Sequence, residues 1–465
     1  MKPCIGIIGT GIAGITAAKE LVEMGHTVHV FEAKSRIGGR IKTLEINGQA
    51  IDMGAAFLWG DQLDNTTSTE PNPLTAIINH LTLDALANVD FLKNSPIYDS
   101  RGRNIQSALH AHINTPAFRE RMEGFVALHQ KMFLDHQNKE NYIDHALPSL
   151  SELLDRLLPE PLSSEDLYFK KIINISFLHK YGADAKWVSL WNLCLENSYP
   201  GKDYLASGTF SRLVHNMLQS IKENSEFSLF LNTAITSVER TPNEKQIILH
   251  TEPGKQFTVD RLLITVPLGV LKANQLTFYP ALSPQKQVSI SALEFGKCNK
   301  VLLHFNKIFW PKEVQSVLIF NKTNHIYEYL NVDYFSKKHP YSLVVTLYGK
   351  EANFTKQSDK QIIEKVLHPL KNIYPVVSDM IDFSITRWES DPYTQGAFTY
   401  LGPNATPKQL IDMASPEWEE QLFFAGEHTD QFYYGSVHGA YLSGLRASQS
   451  IDNSLHPKKF LLRTT

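Results

Sequence analysis

Three glycines near the start of the chain have the spacing of a loop that holds a phosphate. Gly9, Gly11 and Gly14 stand in the sequence GTGIAG, after the short apolar run 5–8 and before an alanine-rich amphipathic stretch that continues to about Met24. Such glycines permit a sharp turn, close approach of the backbone to a pyrophosphate and tight packing of helix on strand, while the helix N-terminus supplies partial positive charge. The pattern predicts a strand, a tight turn and a helix that together bind a dinucleotide.

A carboxylate and a second pair of glycines indicate which dinucleotide to expect. The strand-like run 26–31 ends at Glu32, 18 residues after Gly14, where a carboxylate can accept a hydrogen bond from a ribose hydroxyl. The segment RIGGR follows. Its glycines let a second stretch of backbone approach the dinucleotide, and Arg36 and Arg40 can balance the diphosphate. An NAD-dependent dehydrogenase has no role for this segment, so the pattern favours FAD.

A lysine at the head of an apolar run is the second place where chemistry could occur. The run CNKVLLHFNKIFWP begins at Cys298, and its third residue is Lys300. Alternate residues of a strand face opposite sides, which gives Val301, Leu303 and Phe305 on one side and Lys300, Leu302 and His304 on the other. This is a half-buried pattern with a polar side. Taken alone, it favours a lysine on the exposed face over a lysine with a function.

The N-terminal segments together resemble the flavin amine oxidase superfamily, which includes monoamine oxidases, polyamine oxidases and histone lysine demethylases. The resemblance extends over GTGIAGITAAKEL, VFEAKSRIGGRIKT and IDMGAAFLWG. It implies that FAD is the cofactor. It also implies that the residues in contact with FAD are Gly9, Gly11, Ile12, Ala13, Gly14, Glu32, Ala33, Arg36, Gly39, Arg40, Gly54, Ala55, Ala56 and Phe57.

The segment LFFAGEHTDQFYYGSVHGAYLSGLRAS, which begins at Leu422, carries the same resemblance near the C-terminus. A strand, a loop and a helix are predicted here, with Ser436 as the N-cap of the helix. In the superfamily this helix points at the pyrimidine end of the flavin, where its dipole stabilises the negative charge of reduction. A helix packed on a sheet is the alternative, and both can hold. The further cofactor contacts that the resemblance implies are Ile235, Trp388, Gly426, Glu427, Ser436 and Val437.

Two aromatic residues are implied as walls of a substrate cage. The segment RWESDPYTQGAFTY resembles the superfamily segment that contributes one wall, so Phe398 and Tyr433 are expected to guide an amine to the flavin. Without the resemblance, ordinary aromatic core would be favoured for both. Ala397 occupies the position at which monoamine oxidases carry the cysteine that bonds FAD, so FAD is expected to be non-covalent. The resemblance also makes Lys300 catalytic, because the superfamily lysine reaches flavin N5 through an ordered water.

The expected substrate follows from two departures from related patterns. Trp59 stands where polyamine oxidases commonly place an acidic residue or a histidine; its ring face can hold a cationic chain but suits a monoamine equally. The turn Gly54-Ala55-Ala56 lacks the arginine by which amino-acid oxidases of the superfamily grip a carboxylate, which disfavours an α-amino acid. The substrate-binding residues implied are Trp59, Phe398 and Tyr433.

The implied reaction is FAD-dependent oxidation of a polyamine or of another primary or secondary amine. Hydride passes to flavin N5, the imine is hydrolysed to an aldehyde and an amine, and reoxidation by O2 gives H2O2. Two alternatives stay open: a dehydrogenase or desaturase of the same fold acting on a non-amine substrate, and a flavin-bound protein that acts through binding alone. Lys300 and the paired aromatic residues count against the first alternative.

Composition excludes other classes of protein. With 45 Lys plus Arg against 48 Asp plus Glu, a net charge of -3 and no basic stripe, nucleic acid is not an expected partner. Three scattered cysteines are too few for a disulfide framework or a thiolate metal site, so no metal is expected. The expected location is a reducing compartment, the cytoplasm. No apolar run approaches the ~18 residues that span a bilayer. The expected partners are a small amine and O2, without a membrane.

The length of 465 residues exceeds what one hydrophobic core normally serves, so either two domains or one domain with a large insertion is expected. The fold class is α/β: a Rossmann-like FAD-binding domain of the flavin amine oxidase type, with a mixed α+β substrate domain inserted. Residues 1–74, 204–274 and 385–458 are assigned to the FAD-binding domain. The helical region 75–203 and the sheet-containing region 275–384 are assigned to the substrate domain.

Overall fold

A computed structural model describes residues 2–61, 71–80, 87–88, 95–195, 199, 202–241, 246–252, 254–321 and 325–456. The strands are β1 (Cys4–Ile8), β2 (Thr27–Phe31), β3 (Thr43–Ile46), β4 (Gln49–Asp52), β5 (Phe57–Asp61), β6 (Ala87–Asn88), β7 (Ile97–Tyr98), β8 (Lys202–Leu205), β9 (Phe227–Phe230), β10 (Ile235–Arg240), β11 (Ile247–Thr251), β12 (Gln256–Val259), β13 (Arg261–Ile264), β14 (Thr277–Tyr279), β15 (Glu294–Gly296), β16 (Cys298–Phe305), β17 (Ser316–Phe320), β18 (Ile326–Asn331), β19 (Ser342–Tyr348), β20 (Met380–Ile385), β21 (Phe398–Tyr400) and β22 (Leu422–Phe424).

The helices are α1 (Ile12–Glu23), α2 (Pro73–His80), α3 (Gln106–Ile113), α4 (Pro116–Gln137), α5 (Leu150–Leu157), α6 (Ser164–Tyr181), α7 (Trp191–Leu195), α8 (Thr209–Ile221), α9 (Leu268–Lys272), α10 (Pro284–Ala292), α11 (Asp359–Ile373), α12 (Pro407–Ala414) and α13 (Val437–Leu455). Helices α3 to α7 confirm the helical character predicted for the region 75–203, which also contains the short strands β6 and β7. Among the described residues, no helix has both the length and the apolar character needed to cross a membrane.

The chain divides into two compact units. The first unit comprises Met1–Ile41, Phe210–Leu293 and Lys408–Thr465, and the second comprises Lys42–Thr209 and Glu294–Pro407. Among the described residues, 42–61, 71–74, 204–209 and 385–407, which the sequence assigned to the FAD-binding domain, belong to the second unit, and 275–293 belongs to the first.

The first segment of the first unit ends at Ile41, before the predicted boundary at residue 74, because the residues after β3 pack in the second unit. Ile51, Met53 and Ala56 are buried in one cluster with Leu302 and Val344, and all five belong to the second unit. The predicted cofactor residues 54–57 thus lie in the second unit. Division of the chain into a FAD-binding domain and a substrate-binding domain stays a prediction.

The main sheet of the first unit has five parallel strands in the order β22-β13-β1-β2-β9. Its central strands are almost wholly buried, as expected of parallel strands covered on both faces; Ile5, Ile7, Val28 and Val30 are 0% exposed. The predicted strand, turn, helix and second strand are confirmed as β1, α1 and β2. Helix α13 packs on α1, where a Cβ at Gly444 would lie 2.5 Å from the Ala13 carbonyl oxygen. A second sheet has the order β12-β11-β10-β14.

The main sheet of the second unit has six strands in the order β20-β16-β19-β18-β17-β7. One face packs on α11, so Val301, Leu303 and Phe305 are buried against its apolar side, which includes Ile362 and Val366. The opposite face is also covered, by the cluster that contains Ile51, Met53 and Ala56. The expected polar, exposed side of β16 is therefore wrong: Leu302 is 1% exposed and Lys300 is 8% exposed. A remote segment of chain covers the face that alternation alone indicated as wet.

Candidate active site

The glycine loop between β1 and α1 has two positions with different demands. A Cβ at Gly14 would lie 2.2 Å from the Gly9 carbonyl oxygen, so only glycine permits the close packing of α1 on the turn. A Cβ at Gly11, by contrast, would meet nothing within 4 Å. Gly11 is the N-cap of α1 and has φ -63°, which any residue can adopt. The loop thus leaves open space at the helix N-terminus, where an anion is favoured.

Glu32 stands at the end of β2 and is held by the same loop. Its Oε2 accepts hydrogen bonds from the Thr10 backbone N–H at 3.0 Å and from the Thr10 hydroxyl at 2.5 Å, and its Oε1 accepts one from the Lys34 N–H at 3.0 Å. A carboxylate offers about four acceptor positions, so the group is oriented and retains acceptor capacity. Its predicted bond to a ribose hydroxyl stays a prediction.

The RIGGR segment lies directly on the glycine loop. The Gly38 N–H donates to the Thr10 carbonyl at 2.9 Å, and a Cβ at Gly39 would lie 3.5 Å from the Gly11 Cα. The Arg36 guanidinium donates to the carbonyls of residues 37, 39 and 41 within this segment. Two stretches of glycine backbone are thereby brought together, and Arg36 braces the second. Its contact with a diphosphate stays a prediction.

A partly buried ion pair joins this segment to the GEHT sequence. Arg40 donates to Glu427 Oε1 at 2.8 Å, and Glu427 Oε2 accepts from the Gly435 N–H at 2.8 Å. Burial alone would raise the pKa of Glu427. Arg40, His428 and the Gly435 N–H have a larger combined effect in the opposite direction, so the pKa lies below its ordinary value. Glu427 is therefore ionised and fixes Arg40 beside the start of α13.

The start of α13 is as predicted. Ser436 is the N-cap, and its hydroxyl oxygen accepts from the Gly439 N–H at 2.9 Å while its hydroxyl donates to the Tyr433 carbonyl at 2.6 Å. Tyr433 is partly buried, and its ring meets the His438 ring edge-on at 5.0 Å between centroids. The cap therefore places Tyr433 just before a helix N-terminus in the first unit.

Lys300 is buried in the second unit, on β16. Its ammonium donates to the carbonyls of Asp52 at 3.0 Å and Gly54 at 2.8 Å, and its backbone N–H donates to the Thr386 hydroxyl at 2.7 Å. Burial lowers the pKa of Lys300, while Cys298, Asp52 and Glu328 act against this fall. The interpretation as an exposed surface lysine is therefore wrong. The lysine holds the predicted cofactor segment 54–57 through the carbonyl at its first residue.

The chain resembles known proteins over most of its length. The family described as flavin containing amine oxidoreductase matches the chain over residues 12–452. The chain belongs to this family. It is 30% identical to "Probable polyamine oxidase 4" of Arabidopsis thaliana over 97% of this chain and 87% of that protein. It is 28% identical to "Polyamine oxidase 3" of Oryza sativa subsp. japonica over 96% of this chain and 88% of that protein. It is also 27% identical to "Lysine-specific histone demethylase 1 homolog 2" of Oryza sativa subsp. japonica, over 96% of this chain and 56% of that protein.

The chain is accordingly an FAD-dependent amine oxidoreductase. The residues of the first unit fit FAD on two structural grounds. Open space lies at Gly11, beside an oriented Glu32 carboxylate. Neither ring nitrogen of His428 has a hydrogen-bond partner among the described residues, although the side chain is 1% exposed. Such a buried polar group calls for a ligand or a water.

His428 is a candidate that reasoning from the sequence missed. It belongs to GEHT, between Glu427 and Thr429, and a Cβ at Gly426 would lie 2.7 Å from its ring. Burial lowers the pKa of His428 to about 4, so the ring is neutral and offers one donor and one acceptor. The motif was the available indication, but only the fold shows that the ring is enclosed.

The remaining residues predicted to contact FAD or the substrate lie in both units of the oxidoreductase. Ile12 and Ala13 are buried in α1, Ala33 follows Glu32, Ile235 is 8% exposed at the start of β10, and Val437 is the first residue of α13. In the second unit, Ala55 and Ala56 precede Phe57, whose ring lies 5.3 Å from the ring of Trp59. Trp388 is 7% exposed, and Phe398 is the first residue of β21. Trp59 is 47% exposed. Phe398 and Tyr433 belong to different units, and their joint role as a cage stays a prediction.

Glu328 is a second candidate missed from the sequence. It lies on β18, is 6% exposed, and stands opposite Thr346, which stands opposite Lys300. Burial raises the pKa of Glu328 to about 7, although Lys300 acts in the other direction. A glutamate in the apolar strand IYEYLN carries no local indication of this burial.

The stability of the oxidoreductase should report this raised pKa. Between pH 4.5 and about 7 the folded state holds a proton on Glu328 that the unfolded state has lost, so the free energy of unfolding falls as pH rises through this window. Glu328→Gln removes this dependence. The difference in free energy of unfolding between the variant and the unmodified protein should shift in favour of the variant by up to about 3 kcal/mol as pH rises from 4.5 to 8. Urea unfolding with excess FAD measures this difference at each pH. A stability difference that does not vary with pH would contradict the raised pKa.

Proposed function

We propose that this oxidoreductase oxidises a polyamine or another primary or secondary amine, with FAD bound non-covalently on a Rossmann-like domain. The buried Lys300 ammonium is the observation that carries the amine assignment. Family membership and the relatives described as polyamine oxidases support it. In a dehydrogenase or desaturase acting on carbon alone, or in a binding protein without turnover, Lys300 would have only the structural task of holding the Asp52 and Gly54 carbonyls.

The proposed mechanism assigns distinct tasks to residues of the chain. When bound, FAD supplies a two-electron acceptor at N5 for hydride from the carbon next to the amine nitrogen, and its reoxidation by O2 gives H2O2. Lys300 has three N–H donors, of which Asp52 and Gly54 take two. The third can hold a water, and the lowered pKa of Lys300 suits it to release a proton and to take one back. That water can then hydrolyse the imine to an aldehyde and an amine.

Other residues of the chain would hold the cofactor. Glu32 would accept from the ribose, the backbone at Gly11 and Gly39 would approach the pyrophosphate, and Arg40 would stay oriented by Glu427. The dipole of α13, capped by Ser436, would favour negative charge at its N-terminus.

Replacement of Tyr433 tests the substrate cage. Tyr433→Ala should lower the rate of amine oxidation or the amine affinity by about 10-fold, the loss expected for one aromatic wall and its cation–π contact, while FAD is retained. Stopped-flow reduction across amine concentrations separates the two effects. Phe432→Ala is the control, because Phe432 is an exposed neighbour. Kinetics equal to those of the unmodified enzyme would remove Tyr433 from the site.

The absence of a cysteine at position 397 predicts how FAD is released. Ala397 has no nucleophile with which to bond the flavin, and its N–H donates to the Gly296 carbonyl at 2.9 Å. After precipitation with acid, all flavin absorbance should remain in the supernatant. Flavin that sediments with the protein would show a covalent link elsewhere in the chain.

A panel of amines tests the proposed function as a whole. Peroxide formation should be measured with putrescine, spermidine, spermine, tyramine and N-methyl-lysine on protein whose FAD content is known. At least one amine should give peroxide or anaerobic flavin reduction. Silence toward all five, with FAD bound, would favour a non-amine substrate or a protein without turnover.

A further inference from the structure

One face of the six-stranded sheet carries a row of polar residues across three adjacent strands. Lys300 on β16 stands opposite Thr346 on β19, and Thr346 stands opposite Glu328 on β18. All three are buried, at 8%, 7% and 6% exposed. Paired residues in adjacent strands project from the same face, and two strand spacings separate Lys300 from Glu328 by about 10 Å at the backbone. An ammonium and a carboxylate thus lie at opposite ends of one row.

Two apolar clusters border this row. Toward one end of the strands, Leu302, Val344 and Leu330 pack in the cluster that contains Met53 and Ala56. Beyond the Glu328 end of the row, Leu318 on β17 stands opposite Glu328 and packs with Ile326, Ile97, Leu109 and Phe320 in a second cluster. The polar row is therefore a seam that apolar side chains border along one side and at its Glu328 end. An alkyl chain with charged ends matches such a seam.

The two charged ends of the row differ in how they are compensated. The Lys300 ammonium donates to two backbone carbonyls. No hydrogen bond or ion pair to the Glu328 carboxylate occurs within the described ranges, and Lys300 lies beyond ion-pair distance of it. Burial of an ionised carboxylate without a hydrogen-bond or ion-pair partner is unfavourable, and a cation placed beside the carboxylate would offset this cost. A metal ion requires several such oxygen ligands, but an ammonium group requires one.

We propose that Glu328 binds a second positively charged group of the substrate, so that the preferred substrate is a diamine or polyamine. This rests on the proposed function, since it takes the reacting nitrogen to be the one handled on the Lys300 side. The alkyl segment between the two nitrogens lies along the seam. Glu328 is a specificity residue, and it takes no part in bond breaking.

The test compares two amines that share a reacting centre. Spermidine has a secondary amine with aminopropyl and aminobutyl arms, and N-propylbutylamine has the same secondary amine without the terminal amino groups. Glu328→Gln should lower kcat/KM for spermidine by about 10- to 100-fold, the range of a charge-assisted hydrogen bond, chiefly through KM. The loss for N-propylbutylamine should be at least tenfold smaller, as a purely structural role for Glu328 would not give. Glu328→Asp, which keeps the charge, should lie between. Glu313→Gln, at an exposed position, controls for loss of charge alone.

Each result decides the matter. Equal losses for both amines, or no loss for spermidine, would overturn the inference while amine oxidation stands. If the unmodified enzyme with FAD bound is reduced by neither amine nor by any other amine, the proposed function itself fails. If Glu328→Gln does not retain FAD, the unmodified enzyme decides: kcat/KM for spermidine should exceed that for N-propylbutylamine by about tenfold or more, and a ratio near one would overturn the inference.

Discussion

Lys300→Met should slow anaerobic reduction of the bound flavin by an amine about 100-fold or more, which is the lower range of what a positioned proton donor or acceptor contributes. Methionine keeps the length of the side chain but provides no ammonium to hold a water or carry a proton. Stopped-flow absorbance of the flavin under anaerobic conditions measures the effect. The reductive rate, and not the amine affinity, should carry most of the loss.

A structural effect of the same change must be separated from the chemical one. Lys300→Met leaves the carbonyls of Asp52 and Gly54 without the ammonium, which should destabilise the fold by about 1–3 kcal/mol. FAD content and the unfolding midpoint should therefore be measured beside the kinetics. Lys297→Met is the matched control, since Lys297 is exposed three residues earlier. An unchanged reductive rate in a flavin-loaded Lys300→Met protein would contradict the assigned role.

Gly11→Ala and Gly14→Ala should fail for different reasons. A Cβ at Gly11 meets no atom of the protein within 4 Å, so Gly11→Ala should fold normally. If the pyrophosphate lies on this backbone, the added methyl overlaps it, and FAD affinity should fall by about 10- to 100-fold. Titration with FAD, followed by flavin fluorescence, measures the affinity.

Gly14→Ala should instead disturb the protein itself. Its Cβ would lie 2.2 Å from the Gly9 carbonyl oxygen and 2.9 Å from the Thr265 hydroxyl oxygen, so α1 must shift. We expect a lower unfolding temperature even without FAD. Gly11→Ala with full FAD affinity would contradict the assignment of the phosphate to this loop, and an apoprotein of Gly14→Ala with unchanged stability would contradict the packing.

The parts of the molecule that local sequence encodes were predicted well. The turn between β1 and α1 and the Ser436 cap of α13 follow from residues within a few positions of one another. The apolar face of β16 toward α11 also followed from alternation. These features need only short-range geometry, so a pattern in the sequence is sufficient to indicate them.

The environment of the buried charges could not be predicted in the same way. Lys300 is covered because Asp52 and Gly54, about 250 positions earlier, close over the second face of its strand. Glu328 is paired with a residue on each neighbouring strand, and the pKa of the buried His428 responds to charges on distant residues such as Arg40 and Lys286. Contacts between distant segments decide which polar residues lose water, and alternation in one strand carries no information about them.

Glu328 also shows how stability and function can oppose each other. A carboxylate whose pKa is raised to about 7 by burial lowers the stability of the folded chain at neutral pH. Glutamine would remove that cost, yet on our proposal it would also remove the site for a second ammonium. The same variant should therefore gain stability relative to the unmodified protein as pH rises toward 7, and should be poorer with spermidine.

Anaerobic addition of spermidine to the purified, flavin-loaded enzyme is the decisive measurement for amine oxidation. The visible absorbance of oxidised flavin should bleach, an aldehyde should form in an amount equal to the flavin reduced, and O2 should restore the colour with production of H2O2. An absorbance spectrum that stays oxidised with spermidine and with each of the other amines would contradict amine oxidation by this protein.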